Sequence, residues 1–327
     1  MEMLVLQFQL LSNTVNMSNH DQEEWRKALE ELPPTPDKIP AFFFAHGSPT
    51  LAFPKGQRND PLMDYHGPAG RLAAFLKDFG PALLKTYDPK GIVVFSAHWE
   101  TSEERQVTDY GDNQPLLMDY YGFPPELYEL KFISRGDVKL SQRVVELYKE
   151  HGYEARTTSR LEPRGEDGRG FQGSGLDHGV FVPFRLMFGE DFTSIPIVQV
   201  SIDGSMSPEK NWALGKAIAQ LRSERILVLS GGLTAHNLRD RRSFSPTTAT
   251  ENHVDFDKAI HSAIKIVDAE QRKKALFALT RHRGFRASHP REDHFVPLYI
   301  AAGAGEGDSE VRVICGLYGI PTFAFGV

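Results

Sequence analysis

Three histidines of this 327-residue chain stand at the ends of similar apolar runs. His46 follows Phe42-Phe43-Phe44-Ala45, His98 follows Val93-Val94-Phe95-Ser96-Ala97, and His236 follows Leu227-Val228-Leu229-Ser230-Gly231-Gly232-Leu233-Thr234-Ala235. Imidazole is both a common ligand of divalent metals and a proton carrier near neutral pH, so a set of histidines can build a metal centre, an acid–base pair, or both. One histidine at a strand end is usually a hydrogen-bonded structural residue; three in the same setting favour a shared site. Ala45, Gly47, Ala97, Gly231, Gly232 and Ala235 surround them, and such small residues allow the close backbone approach that a compact ligand set requires.

Two more histidines join the candidates. His294 lies in Arg291-Glu292-Asp293-His294-Phe295-Val296-Pro297, where the acidic pair and Pro297 mark a helix start. The competing reading of that segment is a dipole-complementing acidic turn. His178, in Gly175-Leu176-Asp177-His178-Gly179, is a candidate acid or base, although Asp177 can equally be no more than a helix cap. His20, His66, His151, His253, His261 and His282 sit in polar or helical contexts and are expected on the surface.

These side chains need a scaffold that gathers strand ends. The runs 39–45, 91–97, 195–202, 226–230 and 311–317 are short, apolar and without polar alternation, as in strands buried on both faces. Amphipathic stretches at 70–85, 140–152, 208–222 and 251–269 lie between them. The alternation predicts an α/β domain with a central, mostly parallel sheet flanked by helices. In such a sheet, residues beyond the carboxyl ends of strands converge on one crevice. Residues 1–38 form an N-terminal extension, with a helix-prone segment at 21–29 ending at Pro33-Pro34-Thr35-Pro36, and 39–327 the catalytic domain. Residues 157–175, rich in glycine and charge, read as a long loop bordering the crevice, with Arg164 and Arg169 as solvated side chains able to pair with a substrate carboxylate.

Composition narrows the partner. A net charge of −6 offers no general attraction to nucleic acid or anionic lipid. The apolar start of the chain is short and lacks a basic flank, and no run approaches the ~18–20 apolar residues of a membrane span. A cytoplasmic protein acting on a small molecule is expected. Cys315, the one cysteine, stands in an apolar run and reads as a buried, inert thiol.

Seven pieces in fixed order then carry a family resemblance: Ala45-His46-Gly47-Ser48-Pro49, Ser96-Ala97-His98-Trp99, Tyr121-Gly122-Phe123-Pro124-Pro125-Glu126-Leu127-Tyr128, Leu176-Asp177-His178-Gly179, Pro196-Ile197-Val198-Gln199-Val200-Ser201, Gly232-Leu233-Thr234-Ala235-His236-Asn237-Leu238 and Glu292-Asp293-His294-Phe295-Val296-Pro297-Leu298. Over about residues 39–327 the chain resembles the class III extradiol ring-cleavage dioxygenases of the 4,5-DOPA dioxygenase-like branch. The resemblance implies metal ligation by His46, His98 and His294. It gives His236 the part of catalytic base or additional ligand, and His178 that of a second active-site histidine near dioxygen. It further implies one divalent metal, iron(II) for dioxygenase activity or zinc(II), together with a small aromatic diol and O2 as the reacting partners, the product being a muconic semialdehyde. Phe44, Trp99, Tyr120, Tyr121 and Phe123 are the candidates for an aromatic pocket, with core packing as the alternative for Phe44.

Two other readings compete. A zinc hydrolase could use the same histidines, although such sites often recruit carboxylates as ligands and only Glu100 closely follows His98. A catalytically silent small-molecule binder could share the fold. A serine hydrolase is disfavoured, because Leu229-Ser230-Gly231 lacks the glycine two residues before the serine.

Overall fold

The computed structural model describes residues 20–34, 36–54, 61–164, 171, 173–306 and 310–327. Ten strands form among the described residues: β1 (Ala41–Ala45), β2 (Gly91–Thr101), β3 (Arg105–Asp109), β4 (Ile133–Ser134), β5 (Ala155–Ser159), β6 (Asp191–Phe192), β7 (Ile197–Asp203), β8 (Ile226–Gly232), β9 (Val311–Cys315) and β10 (Thr322–Phe325). Eight of them make one sheet in the order β5-β3-β7-β2-β8-β1-β10-β9, with β4 and β6 paired separately. The four central strands β7, β2, β8 and β1 are parallel, and antiparallel pairings appear towards the edges, at β3–β7, β1–β10 and β10–β9.

The helices are α1 (residues 20–30), α2 (Pro61–His66), α3 (Arg71–Tyr87), α4 (Val138–Glu150), α5 (His178–Phe188), α6 (Pro208–Ala217), α7 (Glu251–Ile264), α8 (Ala269–Ala278), α9 (Phe285–Ser288) and α10 (Pro297–Ala304). They cover both faces of the sheet because successive strand residues point to opposite sides. Phe43, Val93 and Phe95 join the apolar cluster with α4, α6, α7 and α10, while Phe42, Phe44, Ile92 and Val94 join the one with α1, α3 and α5. Helix α1 is seated in the second cluster through Trp25 and Leu29, and Asp78 of α3 accepts from Trp25 Nε1 at 2.9 Å and from the Arg26 guanidinium. No helix among the described residues is long and apolar enough to cross a membrane.

The five apolar runs become β1, β2, β7, β8 and β9. Polar strands escape that pattern: β3 reads Arg-Gln-Val-Thr-Asp and β5 Ala-Arg-Thr-Thr-Ser, held by ladder pairing near one edge of the sheet. Consequently the loop expected from residue 157 begins later, since 157–159 belong to β5, and Arg169 lies outside the described residues. The stretch 251–269 ends as α7 at Ile264, with α8 beginning at Ala269. Cys315 is buried, and burial pushes its thiol up to about 12, as an inert residue requires.

Helices α6 and α10 pack through two glycines. A Cβ on Gly303 would stand 2.0 Å from the Trp212 carbonyl oxygen, and one on Gly215 2.0 Å from that of Ile300. Gly-to-Ala in a helix interior ordinarily gains up to ~1 kcal/mol, but overpacking against rigid backbone costs ~1–3 kcal/mol or more, so the second effect wins here. Gly303→Ala is therefore expected to destabilise the protein. A urea midpoint equal to or above that of the wild type would contradict the packing.

Candidate metal centre

The chain turns sharply where the parallel strands end. His46 directly follows β1, and its backbone N–H donates to the Gly232 carbonyl at 3.1 Å. Gly47 then takes φ +76, a conformation suited to glycine, before Ser48 caps the next turn through the Thr50 N–H. Strand β2 leaves β8 after Ser96 and loses its register with β7 between Phe95 and Glu100; His98 stands in that irregularity. His294 occupies the turn before α10, whose first residue is Pro297, and its carbonyl accepts from Leu233 N at 2.8 Å. Gly232 is what permits this crossing, because a Cβ there would lie 2.4 Å from the His294 carbonyl oxygen and 2.8 Å from the Phe43 ring.

His46, His98 and His294 are all buried and offer ring nitrogens that lie within 4.8 Å of one another. Their ring centroids are 4.9, 5.1 and 4.9 Å apart, and His98 Nε2 faces His294 Nε2 at 2.9 Å. That separation is less than twice the ~2.1 Å of a metal–imidazole bond, so both nitrogens could reach one cation. The outer nitrogens support the same orientation. His98 Nδ1 lies 3.3 Å from Asp177 Oδ1 and 3.5 Å from Asp119 Oδ2, and His294 Nδ1 lies 3.1 Å from Asp293 Oδ2. Carboxylates behind metal-binding imidazoles fix the tautomer and aim the other nitrogen inward.

A further histidine flanks the cluster on each side. His178, the first residue of α5, stacks on His98 with centroids 4.0 Å apart, and both its Nδ1 and its backbone N–H meet Asp119 Oδ1, at 2.7 and 2.8 Å. Asp177 caps α5 by accepting from Gly179 N at 2.9 Å, as the cap reading of this segment expects. His236, partly open to solvent, stacks on His294 with centroids 3.4 Å apart. It forms a second group with Asp293 and His294 rather than joining the three-histidine set. Burial alone would raise the Asp293 carboxyl; His294, His236 and Arg291 instead hold it well below the usual carboxylate range.

The neighbouring aromatics divide. Tyr120 presents its ring edge to His178 at 5.6 Å, and Phe123 links Tyr120 to Phe53. Tyr121 is exposed and stacks on Phe171. Phe44 is core, packed against Phe184, and Trp99 is likewise buried, donating from Nε1 to the Arg164 carbonyl. Arg164 is not solvated, contrary to the expectation from its glycine-rich surroundings. It is fully buried and paired with Asp177 at 2.7 Å. Ser230 is buried as well and donates to the Pro297 carbonyl, so it is no nucleophile.

Some site residues carried no signal in the sequence. Asp119 precedes the Tyr121–Tyr128 segment as an unremarked acid, and Arg291, which reaches Glu100 at 2.5 Å, ties the His294 turn to β2. Two supposed surface histidines are interior. His253 is buried as the third residue of α7, its Nδ1 facing the Thr250 N–H and its Nε2 the Ala287 carbonyl. His66 is buried edge-on to Phe244, whose ring in turn meets His236 at 6.3 Å.

A mostly parallel sheet covered on both faces, with a buried histidine cluster at its carboxyl edge, defines an α/β fold whose clustered imidazoles could hold a metal ion. The chain belongs to the family described as the catalytic LigB subunit of aromatic ring-opening dioxygenase, which matches residues 40–327. It is 38% identical over 304 residues, 93% of this chain and 97% of the relative, to the 4,5-DOPA dioxygenase extradiol-like protein of Schizosaccharomyces pombe (strain 972 / ATCC 24843). It is 28% identical over 274 residues, 84% of this chain and 89% of the relative, to the 4,5-DOPA dioxygenase extradiol of Beta vulgaris. A crystal structure of an uncharacterized protein from Escherichia coli K12 superposes with a TM-score of 0.57 at 22% identity, covering 88% of this chain and 100% of that one, which shows a shared fold.

Two outcomes are expected. Gly232→Ala must displace the His294 backbone, and chelator competition should then show metal affinity lowered by about tenfold or more, the scale on which outer partners matter; unchanged affinity would contradict the crossing. The buried His66 imidazole is held down at about 4, against ~6.5 in an unfolded chain. Between those values the unfolded chain binds more protons than the native one, so stability from this residue is present at neutral pH and is lost as pH falls from ~6.5 towards 4. Urea titrations at pH 7 and pH 5 should show a smaller difference for His66→Leu than for the wild type.

Proposed function

We propose that this protein opens a catechol-type ring by extradiol cleavage with O2, giving a muconic semialdehyde, at a divalent metal held by His46, His98 and His294. The observation that carries this reading is the convergence of three buried imidazoles whose ring nitrogens lie within 4.8 Å of one another. That inner set contains no carboxylate, which sets it apart from hydrolytic zinc sites that recruit one. A bound iron(II) would supply adjacent open positions for a catecholate and dioxygen, together with the redox capacity that zinc lacks.

The chain's own groups handle the protons. His236 is partly exposed, beside Asp293 and stacked on His294, and takes the proton of a catechol hydroxyl as the substrate enters. His178, backed by Asp119 at Nδ1, holds a proton on its other nitrogen for delivery to the oxygen side. Tyr120 and Phe123 contribute an apolar wall next to His178. The bookkeeping closes without an added reductant. One ring carbon–carbon bond beside the diol breaks, and both atoms of O2 enter the product, one in the carboxylate and one in the aldehyde. DOPA is the first catechol to test, since relatives bear its name.

The test is oxygen uptake with a catechol panel after anaerobic loading with iron(II), following the yellow ring-opened product. One O2 consumed per catechol is expected; absence of uptake with every catechol would defeat the reading. In the same assay His236→Ala should keep its metal while losing roughly 100- to 10,000-fold in turnover, the usual contribution of a base. Loss of the metal itself would make His236 a ligand.

A further inference from the structure

Asp177 is a buried carboxylate with an unusual number of donors. Its Oδ1 accepts from Ser96 Oγ at 2.7 Å and Gly179 N at 2.9 Å and lies 3.3 Å from His98 Nδ1; its Oδ2 accepts from Gln199 Nε2 at 2.5 Å and pairs with an Arg164 Nη at 2.7 Å. Arg164 and Asp177 are both 0% exposed. A charge withdrawn this far from water is tolerated only when paired and hydrogen-bonded, so the guanidinium is what allows a full carboxylate to stand behind His98.

Arg164 is itself held from several sides. Its guanidinium donates to the Gly175 carbonyl at 3.1 Å and to the His98 carbonyl at 3.4 Å, and its centre lies 5.1 Å from the Trp99 ring centroid. Its backbone N–H donates to Gly173 O at 3.1 Å, and its carbonyl accepts from Trp99 Nε1. These contacts join the stretch of β2 that has left its ladder, His98 and Trp99, to the segment leading into α5. A planar fork serves a carboxylate and two carbonyls at once, which a lysine ammonium on a flexible stem does not.

We propose that Arg164 is a positioning residue for the metal centre: it seats Asp177 against the Nδ1 edge of His98 and so sets how tightly the three-histidine cluster holds a divalent cation. The proposal rests on the reading of His46, His98 and His294 as ligands. It gives the arginine a role towards the protein's own carboxylate and none in contacting substrate.

The experiment measures Zn2+ affinity by competition with a chromophoric chelator, and the visible spectrum of the Co2+-loaded protein, in the full chain. Arg164→Lys, which keeps the charge, should weaken Zn2+ binding by about 10- to 100-fold and shift the Co2+ bands. Asp177→Asn should weaken it similarly. The charge-neutral pair Arg164→Met with Asp177→Asn should match Asp177→Asn alone within about twofold, because the arginine acts through the aspartate. The pair also serves where Arg164→Lys fails to fold. Wild-type affinity in Arg164→Lys or in the charge-neutral pair, or losses that multiply when the two sites are combined, would overturn the proposal while leaving the metal reading intact, provided His98→Ala abolishes binding. A wild-type protein without Zn2+ affinity, or a His98→Ala variant that binds as the wild type does, would overturn both.

Discussion

An imidazole has two nitrogens, and a buried one can aim only one of them at a shared point. The structure around His46, His98 and His294 follows from that limit. For His98 and His294 the outward nitrogen faces a carboxylate, Asp177 with Asp119 in one case and Asp293 in the other. Each buried carboxylate needs compensation in turn. Asp177 has Arg164, two side-chain donors and the first turn of α5; Asp293 has Arg291, which also reaches Glu100 on β2. The polar network thus extends outward from the cluster until it reaches solvent or main-chain amides. This is the arrangement in which a buried charge costs least.

The backbone answers the same constraint by close approach. The imidazoles of residues 46, 98 and 294 meet only if β1, β8 and the turn before α10 come within van der Waals distance, and Gly232 makes that possible. Gly179 does the equivalent at α5, where a Cβ would stand 2.7 Å from Ser96 Oγ and 3.0 Å from His98 Nδ1. Three of the four central strands, β1, β2 and β8, lead into the histidines His46, His98 and His236, whereas the edge strands β3, β5, β9 and β10 contribute width and cover. A parallel sheet suits this division because its strand ends lie together at one edge.

The two flanking histidines differ in setting. His178 is buried, stacked on His98 and tied twice to Asp119, while His236 is partly open and stacked on His294. A group that exchanges protons with an entering substrate needs access, and one that serves a reaction shielded from water needs enclosure. The asymmetry therefore supports the proposed separation of base from acid.

Local pattern was enough to reveal the strand-end histidines, the α/β class and the helix start at Pro297, since these depend on apolar periodicity and on residues with narrow conformational preferences, which act over a few positions. It did not reveal β3 and β5, whose polar residues are held by pairing with distant strands. It also misjudged His66, His253 and Arg164, which are polar in sequence and buried in space. Asp119 and the partnership of Arg164 with Asp177 arise only when segments far apart in the chain are folded against each other. Hydrophobic pattern records which faces a segment must hide. Which charges meet once those faces are hidden is decided by long-range packing, because a buried carboxylate is acceptable wherever a partner can be brought to it, and the residue type alone does not say from where.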